Sequence, residues 1–286
     1  MVCGLTTIAL VLLSTAWTGL LIVVFSPLKF ATSGRMRTRV MLFLASLADA
    51  WVERNDRVFD RMLTTKWDVT GNEGLRLDGR YLVISNHISW VDIFAIFRVF
   101  HDRSAFVRFF MKQVLKWWPI VGQACDALDF PFMKRYTSEY LEKHPEKRGE
   151  DLATTRRACG RYRHLPVTVM NFAEGTRFTR EKHENQSSPY RHLLRPRIGG
   201  IGFALASLGD HLDGMFDVTL AYPDHDVTLW AFVTNQVPRI VVRCRRLEPP
   251  PEFYDEAITR PGPERERFKQ WIEGIWREKD ALLDEM

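Results

Sequence analysis

Residues 167–177 read VTVMNFAEGTR. Val167 to Phe172 is an apolar, β-branched run of strand type. It ends at Ala173-Glu174-Gly175-Thr176-Arg177, where glycine lets the chain turn sharply out of a strand. Thr176 and Arg177 then offer a hydroxyl and a forked set of N–H donors suited to phosphate. Glu174 either holds that arginine in place or touches a bound hydroxyl. Taken alone, the segment reads first as a turn with a surface Glu–Arg pair, and such a pair contributes only ~0.5 kcal/mol.

Outward from this strand the chain alternates. Apolar runs of strand type occur at Tyr81 to Ser85, Phe106 to Phe110, Phe130 to Met133, Phe216 to Tyr222, Val227 to Val233 and Ile240 to Cys244. Helical patterns lie between several of them, at Val91 to Phe100, Thr137 to Lys143, Gly149 to Tyr162 and Ile198 to Leu208. Strands alternating with helices predict an α/β domain with a mixed, mostly parallel sheet flanked by helices. Trp67-Asp68-Val69 and Leu75-Arg76-Leu77, around Gly71 to Gly74, predict a β-hairpin. Lys143 to Arg148 and Thr179 to Pro189 are polar and predict surface loops. Glu264 to Leu283 is amphipathic, and its pattern suits a helix docked on the domain or a second membrane contact.

A second polar cluster follows Tyr81 to Ser85. Asn86-His87 stands where that strand ends, with Asp92 five residues beyond the histidine. Ligands bind at the carboxyl ends of strands in open α/β sheets. A histidine there, with a carboxylate on its other ring nitrogen, makes a base with its orienting partner. The two do not share a helix face at this spacing, so His87 must precede the helix for them to meet. H-x-x-x-x-D alone is weak in a chain with eight histidines, and Asn86 is also a plausible helix cap.

The amino-terminal stretch from Leu5 to Phe25 carries no charge and is long enough to cross the hydrocarbon layer. No basic residue precedes it and no A-x-A-like site follows, so a retained anchor is expected in place of a cleaved signal peptide. Lys29, Arg35, Arg37 and Arg39 follow the span, which by the positive-inside rule places the remaining chain on the cytoplasmic face, the inner membrane in a bacterium. Val40 to Val52 is apolar but short, suiting either an interfacial helix or a core helix. The expected organisation is an anchor with interfacial helix over 1–60, an α/β domain over 61–250 and an amphipathic helix over 251–286.

The composition, 46% apolar and 26% charged over 286 residues with a net charge of +5, is that of a globular chain with a mild preference for anionic surfaces. Four scattered cysteines, Cys3, Cys125, Cys159 and Cys244, argue against a disulfide framework or a zinc site. Basic residues lie beside the apolar span and over Arg156 to Arg163 without a nucleic-acid-binding motif. Asp224-His225-Asp226 reads as a polar turn, and His183 and His192 as solvated loop residues.

Asn-His-x-x-x-x-Asp followed well downstream by Phe-x-Glu-Gly-Thr-Arg resembles the glycerolipid acyltransferase family, which includes the lysophosphatidic acid acyltransferases. Lys112, Leu115, Pro119 and Gly122 match a family segment between these blocks. Phe132 and Arg135 match the second block, and Asp217 to Pro223 looks like the fourth. The likeness covers roughly Trp67 to Pro223. Asp129 stands where the family usually has glycine, Ala173 where it often has proline, and Ala-Tyr-Pro where many members carry a Val-Pro-type sequence. These departures resemble the lysocardiolipin acyltransferase branch and related bacterial proteins.

The resemblance implies acyl transfer from acyl-CoA or acyl carrier protein to the free hydroxyl of a lysophospholipid, first of all 1-acylglycerol-3-phosphate, giving phosphatidate. Lysocardiolipin, lysophosphatidylglycerol or another lysolipid is the alternative acceptor. A non-catalytic lipid-binding or scaffold protein is the alternative of another class. Implied catalytic residues are His87 and Asp92. Implied substrate-binding residues are Asn86, Arg135, Glu174, Gly175, Thr176 and Arg177. Beyond the thioester co-substrate the resemblance implies no cofactor and no metal.

Overall fold

A computed structural model describes residues 1–133, 162, 165–223 and 227–286. At its centre lies β2 (Arg80–Ser85), whose apolar residues divide between two layers: Tyr81 and Val83 enter one hydrophobic cluster, Leu82 and Ile84 the other. A strand buried on both faces has no polar side to alternate with, which is why RYLVIS reads as nearly continuous apolar sequence.

Around β2 assemble β1 (Lys66–Thr70), β3 (Val107–Phe109), β6 (Val167–Phe172), β7 (Gly214–Ala221) and β8 (Arg239–Leu247) in the order β1-β8-β7-β2-β6-β3. Every neighbouring pair is parallel except β7 with β8. This is the mixed, mostly parallel α/β sheet that the alternation predicts. A separate parallel pair joins β4 (Met111–Lys112) to β5 (Phe132–Met133).

Helices cover both faces. On one side lie α3 (Gly34–Met62) and α4 (Val91–Phe100), contributing Leu44, Val52, Phe59, Ile96 and Phe97 to the core. On the other lie α7 (Ile198–Leu208) and α9 (Pro263–Asp284), with Leu205, Phe268, Ile272 and Trp276 fully buried. The tail helix thus docks on the domain. Short helices α5 (Val121–Ala127), α6 (Arg180–Asn185) and α8 (Leu229–Val233) fill the connections.

The amino terminus forms α1 (Val2–Phe25), a turn at Ser26-Pro27 and the short α2 (Leu28–Ala31) before α3. This is the one candidate membrane span among the described residues, with a mean hydropathy of 2.4 and little of its most apolar stretch buried. Its other face packs on the molecule at both ends. Cys3 Sγ donates to Met62 O, while an added Cβ on Gly19 would strike Ile120. Between these points Trp51 Nε1 donates to Thr15 Oγ1 at 2.9 Å and Arg54 reaches Thr18. The stretch Val40 to Val52 is part of α3 and serves both expectations: Leu44, Ala48 and Val52 face the core, whereas Leu42 and Phe43 are exposed.

Three local expectations are overturned. Leu75 to Leu77 forms no hairpin strand; β1 pairs with β8 instead. Gly71, at φ +81°, would bring a Cβ to 1.8 Å from Cys244 O, so glycine is needed for this close passage and not for a hairpin loop. Val227 to Val233 is not a strand, because Thr228 caps a helical turn by accepting from Ala231 N at 3.0 Å. Within Thr179 to Pro189, α6 is capped in the same way by Thr179, and His183 is held against Tyr190 O at 2.6 Å instead of being solvated. The expectations for Thr137 to Lys143, Lys143 to Arg148, Arg156 to Arg163, Cys159 and Asp224 to Asp226 fall outside the described residues, as does the helix over Gly149 to Tyr162 apart from its last residue.

Candidate active site

The carboxyl end of β2 is fixed by its next residue. Asn86 is fully buried, its Nδ2 donating to Leu220 O at 2.8 Å and its Oδ1 accepting from Leu220 N at 2.9 Å. The side-chain amide imitates one more rung of ladder between β2 and β7. Both ends of the amide are thereby engaged, and Asn86 braces the loop.

The loop places His87 just ahead of α4 and Asp92 in its first turn. His87 Nδ1 lies 2.7 Å from Asp92 Oδ2. That same oxygen accepts from Ile88 N at 2.6 Å and Ser89 N at 2.9 Å, and Tyr222 Oη donates to Asp92 Oδ1 at 2.5 Å. An inaccessible carboxylate needs such donors to stay charged. An oxygen that takes two backbone N–H groups is an acceptor, so the proton on the shared contact sits on His87 Nδ1, and Nε2 carries the lone pair. Among the described residues Nε2 has no hydrogen-bond partner. The imidazole lies flat on Phe172, with centroids 3.9 Å apart at 11°, and Phe172 stacks in turn on Phe109 at 5.7 Å.

The turn after β6 comes back against this loop. Phe178 N donates to His87 O at 2.7 Å, and Gly175 turns the chain at φ +72°. Thr176 Oγ1 accepts from Lys182 Nζ at 2.9 Å. Arg177 is exposed, its guanidinium stacked 5.0 Å over the ring of Trp90. Glu174 points inward and is 1% exposed, with no side-chain hydrogen bond of good geometry. Burial holds its carboxyl well above the ordinary range, with Asp92 adding to the rise. Lys279 opposes it most, and the backbone N–H groups of His87 and Leu194 help in spite of their poor alignment. Glu174 therefore does not pair with Arg177 on the surface. Arg135 lies outside the described residues.

Lys279, on α9, is fully buried. Its Nζ pairs with Asp217 Oδ1 at 2.7 Å, donates to Val218 O and lies 5.0 Å over Trp276. A buried polar row thus joins Lys279 on α9 to Asp217 in the middle of β7, with Glu174, just after β6, also near this lysine. Burial holds the phenol of Tyr222 well above its usual range, with Asp92 adding to the rise, so it remains a donor. Sequence reasoning missed Lys279, Tyr222, Phe172 and Lys182. Lys279 had left a signal: it continues the apolar face of Phe268, Ile272 and Ile275 at helical spacing, where a solvated lysine does not belong. Tyr222 lay in the segment resembling the fourth family block, but nothing local tied it to Asp92, because their meeting depends on β7 lying beside β2. An open depression of about 670 Å³ lined by residues such as Tyr254, Asp255 and Arg260 shares no residue with this constellation.

Known proteins resemble this chain in sequence and fold. The mouse 1-acyl-sn-glycerol-3-phosphate acyltransferase epsilon is 24% identical over 71% of this chain and 57% of its own length. Zebrafish lysocardiolipin acyltransferase 1 is 27% identical over 61% of this chain and 46% of its own. The chain therefore spans about half the length of these curated relatives. The crystal structure of PlsC, the 1-acyl-sn-glycerophosphate acyltransferase of Thermotoga maritima, shares the fold with a TM-score of 0.52 at 14% identity, over 93% of this chain and 96% of that one. The sequence profile of the family described as Acyltransferase matches residues 66–230, and the chain belongs to that family.

Proposed function

We propose that this protein transfers a fatty acyl group from acyl-CoA or acyl carrier protein to the free hydroxyl of a lysophospholipid, with 1-acylglycerol-3-phosphate as acceptor and phosphatidate as product. The observation that carries the reading is the contact between His87 Nδ1 and Asp92 Oδ2, which leaves Nε2 as the proton acceptor. In this reading Nε2 takes the proton of the acceptor hydroxyl while Asp92 stabilises the imidazolium. The alkoxide oxygen attacks the thioester carbonyl and forms the new ester bond. The carbon–sulfur bond then breaks, and the thiolate recovers the proton from His87. Phe172 fixes the ring plane and keeps water from one of its faces. Arg177 presents its remaining N–H donors to the acceptor phosphate, and Thr176 and Gly175 shape the turn beneath it.

Membrane attachment through α1, with the domain at the cytoplasmic face, belongs to the same proposal. The exposed apolar side of α1 and the arginines that open α3 support it. The decisive experiment offers the purified full chain labelled acyl-CoA or acyl carrier protein with lysophosphatidate, lysocardiolipin and lysophosphatidylglycerol. Preferred labelling of phosphatidate is expected, and His87→Ala is expected to reduce it by about 10²–10⁴-fold while the protein stays folded. Preference for another lysolipid would move the acceptor. Undiminished turnover in His87→Ala would remove the mechanism.

A further inference from the structure

Between β4 and α5 the chain displays a run of apolar side chains that stand partly or largely exposed. Val114, Trp117, Trp118, Ile120 and Val121 are 64%, 77%, 51%, 38% and 37% exposed. Single exposed apolar residues are ordinary, but five within eight positions, two of them tryptophans, form a patch. The segment is also held in shape. Gln113–Trp117 forms a 3-10 turn, and Gly122 packs so tightly that an added Cβ would lie 2.4 Å from the carbonyl oxygens of Leu115 and Lys116. Lys116 is tied to Asp126 at 2.9 Å. Ile120 sits at φ +63°, a costly conformation for a β-branched residue that persists only where the surroundings impose it.

The patch is continuous with α1. Ile120 packs on Gly19, and on the open side of α1 around that glycine Trp17, Leu20 and Val24 are 60%, 48% and 59% exposed. Exposed Lys112 and the exposed Arg35, Arg37 and Arg39 supply the cationic partners that tryptophan-rich interfacial segments use at anionic headgroups. Continuity with a membrane-length apolar helix selects lipid as the occupant over a protein partner. The ledge also adjoins the site, since β3 carries Phe109, the outer ring of the Phe109–Phe172–His87 stack, and runs through Phe110 into β4.

We propose that residues 113–121 are a second membrane contact, a tryptophan-bearing ledge that enters the headgroup boundary beside α1 and brings lipid-borne substrate to the mouth of the His87 site. The substrate half rests on the acyl-transfer reading; the lipid contact does not. The test uses the full chain with its four native cysteines changed to alanine, bound to phosphatidylethanolamine–phosphatidylglycerol vesicles. A nitroxide is attached in Trp117→Cys or, as control, in Leu77→Cys, an exposed site just ahead of β2 at the opposite end of that strand.

At position 117 the label should be open to oxygen and shielded from a water-soluble nickel chelate, with the reverse at position 77. Equal access of the chelate to both positions would overturn the ledge. Shielding of position 117 from both reagents would also overturn it, in favour of a protein interface. In activity, Trp117→Glu/Trp118→Glu should cut turnover of vesicle-borne lysophospholipid roughly tenfold while leaving a monomeric short-chain acceptor unaffected. An equal effect on both acceptors would remove the substrate-presenting role. If the unaltered protein acylates no lysolipid, the function proposed above fails, and the nitroxide result still decides the lipid contact.

Discussion

Tyr222 gives the site its sharpest residue-scale test. Its hydroxyl is the donor on the Asp92 oxygen that faces away from His87, so Tyr222→Phe leaves the His–Asp contact in place but the carboxylate short of one donor. Losing a hydrogen bond to a charged group costs about 1.5 kcal/mol, so kcat should fall about tenfold with KM little changed, as measured by steady-state acyl transfer. A KM effect alone would show that the tyrosine acts on binding and not on the base. At this scale much of the site was legible. His87 and Asp92 could be paired from their spacing, and the turn at Gly175 from its sequence. Asn86 and Glu174 turn inward, which the sequence could not show, because a polar residue next to a motif reads the same whether it faces substrate or the interior; only burial separates the two.

At the scale of elements, the join between α2 and the domain carries a buried ion pair. Lys29, from α2, meets Asp129 at 2.6 Å, and both side chains are almost fully buried. Asp129 lies at φ +61°, the left-handed region that favours glycine, which accounts for the glycine usual in the family at this place. Here an aspartate takes the strained conformation and its carboxylate holds α2. Lys29→Met should lower unfolding free energy by about 3 kcal/mol, because it removes one charge of a buried ion pair. Lys29→Met/Asp129→Gly should recover most of that loss, giving a coupling of at least about 1 kcal/mol in chemical denaturation. Additive losses would mean that the two charges do not depend on each other. Helices α4 and α7 were legible from their apolar periodicity, whereas α8 was read as a strand because five apolar residues carry too little period to choose.

At the scale of the molecule, stability should depend on pH through the buried row under the sheet. Burial raises the carboxyl of Glu174 well above its ordinary 4.5, so the folded protein keeps a proton that the unfolded chain has released. Stability from this group is full below 4.5 and is lost as pH rises toward the folded value. Glu174→Gln should therefore melt progressively higher than the unaltered protein as pH increases from 5 to 8, in thermal unfolding followed by circular dichroism. A constant difference over that range would place the carboxyl outside the folding equilibrium. The α/β class was legible because β2 and β6 are apolar throughout and helices separate several of the strands, but strand order was not. No local pattern places β7 beside β2, and on that neighbourhood depend Asn86, Tyr222 and the Asp92 charge. Lys279 carries a consequence for biosynthesis. It contacts Val218 across 61 positions of sequence, so a growing polypeptide lays down Asp217 and Glu174 long before their cation emerges. Nascent chains should pause in a loosened, protease-sensitive form, and the His87 site should mature only after α9 has been made and docked.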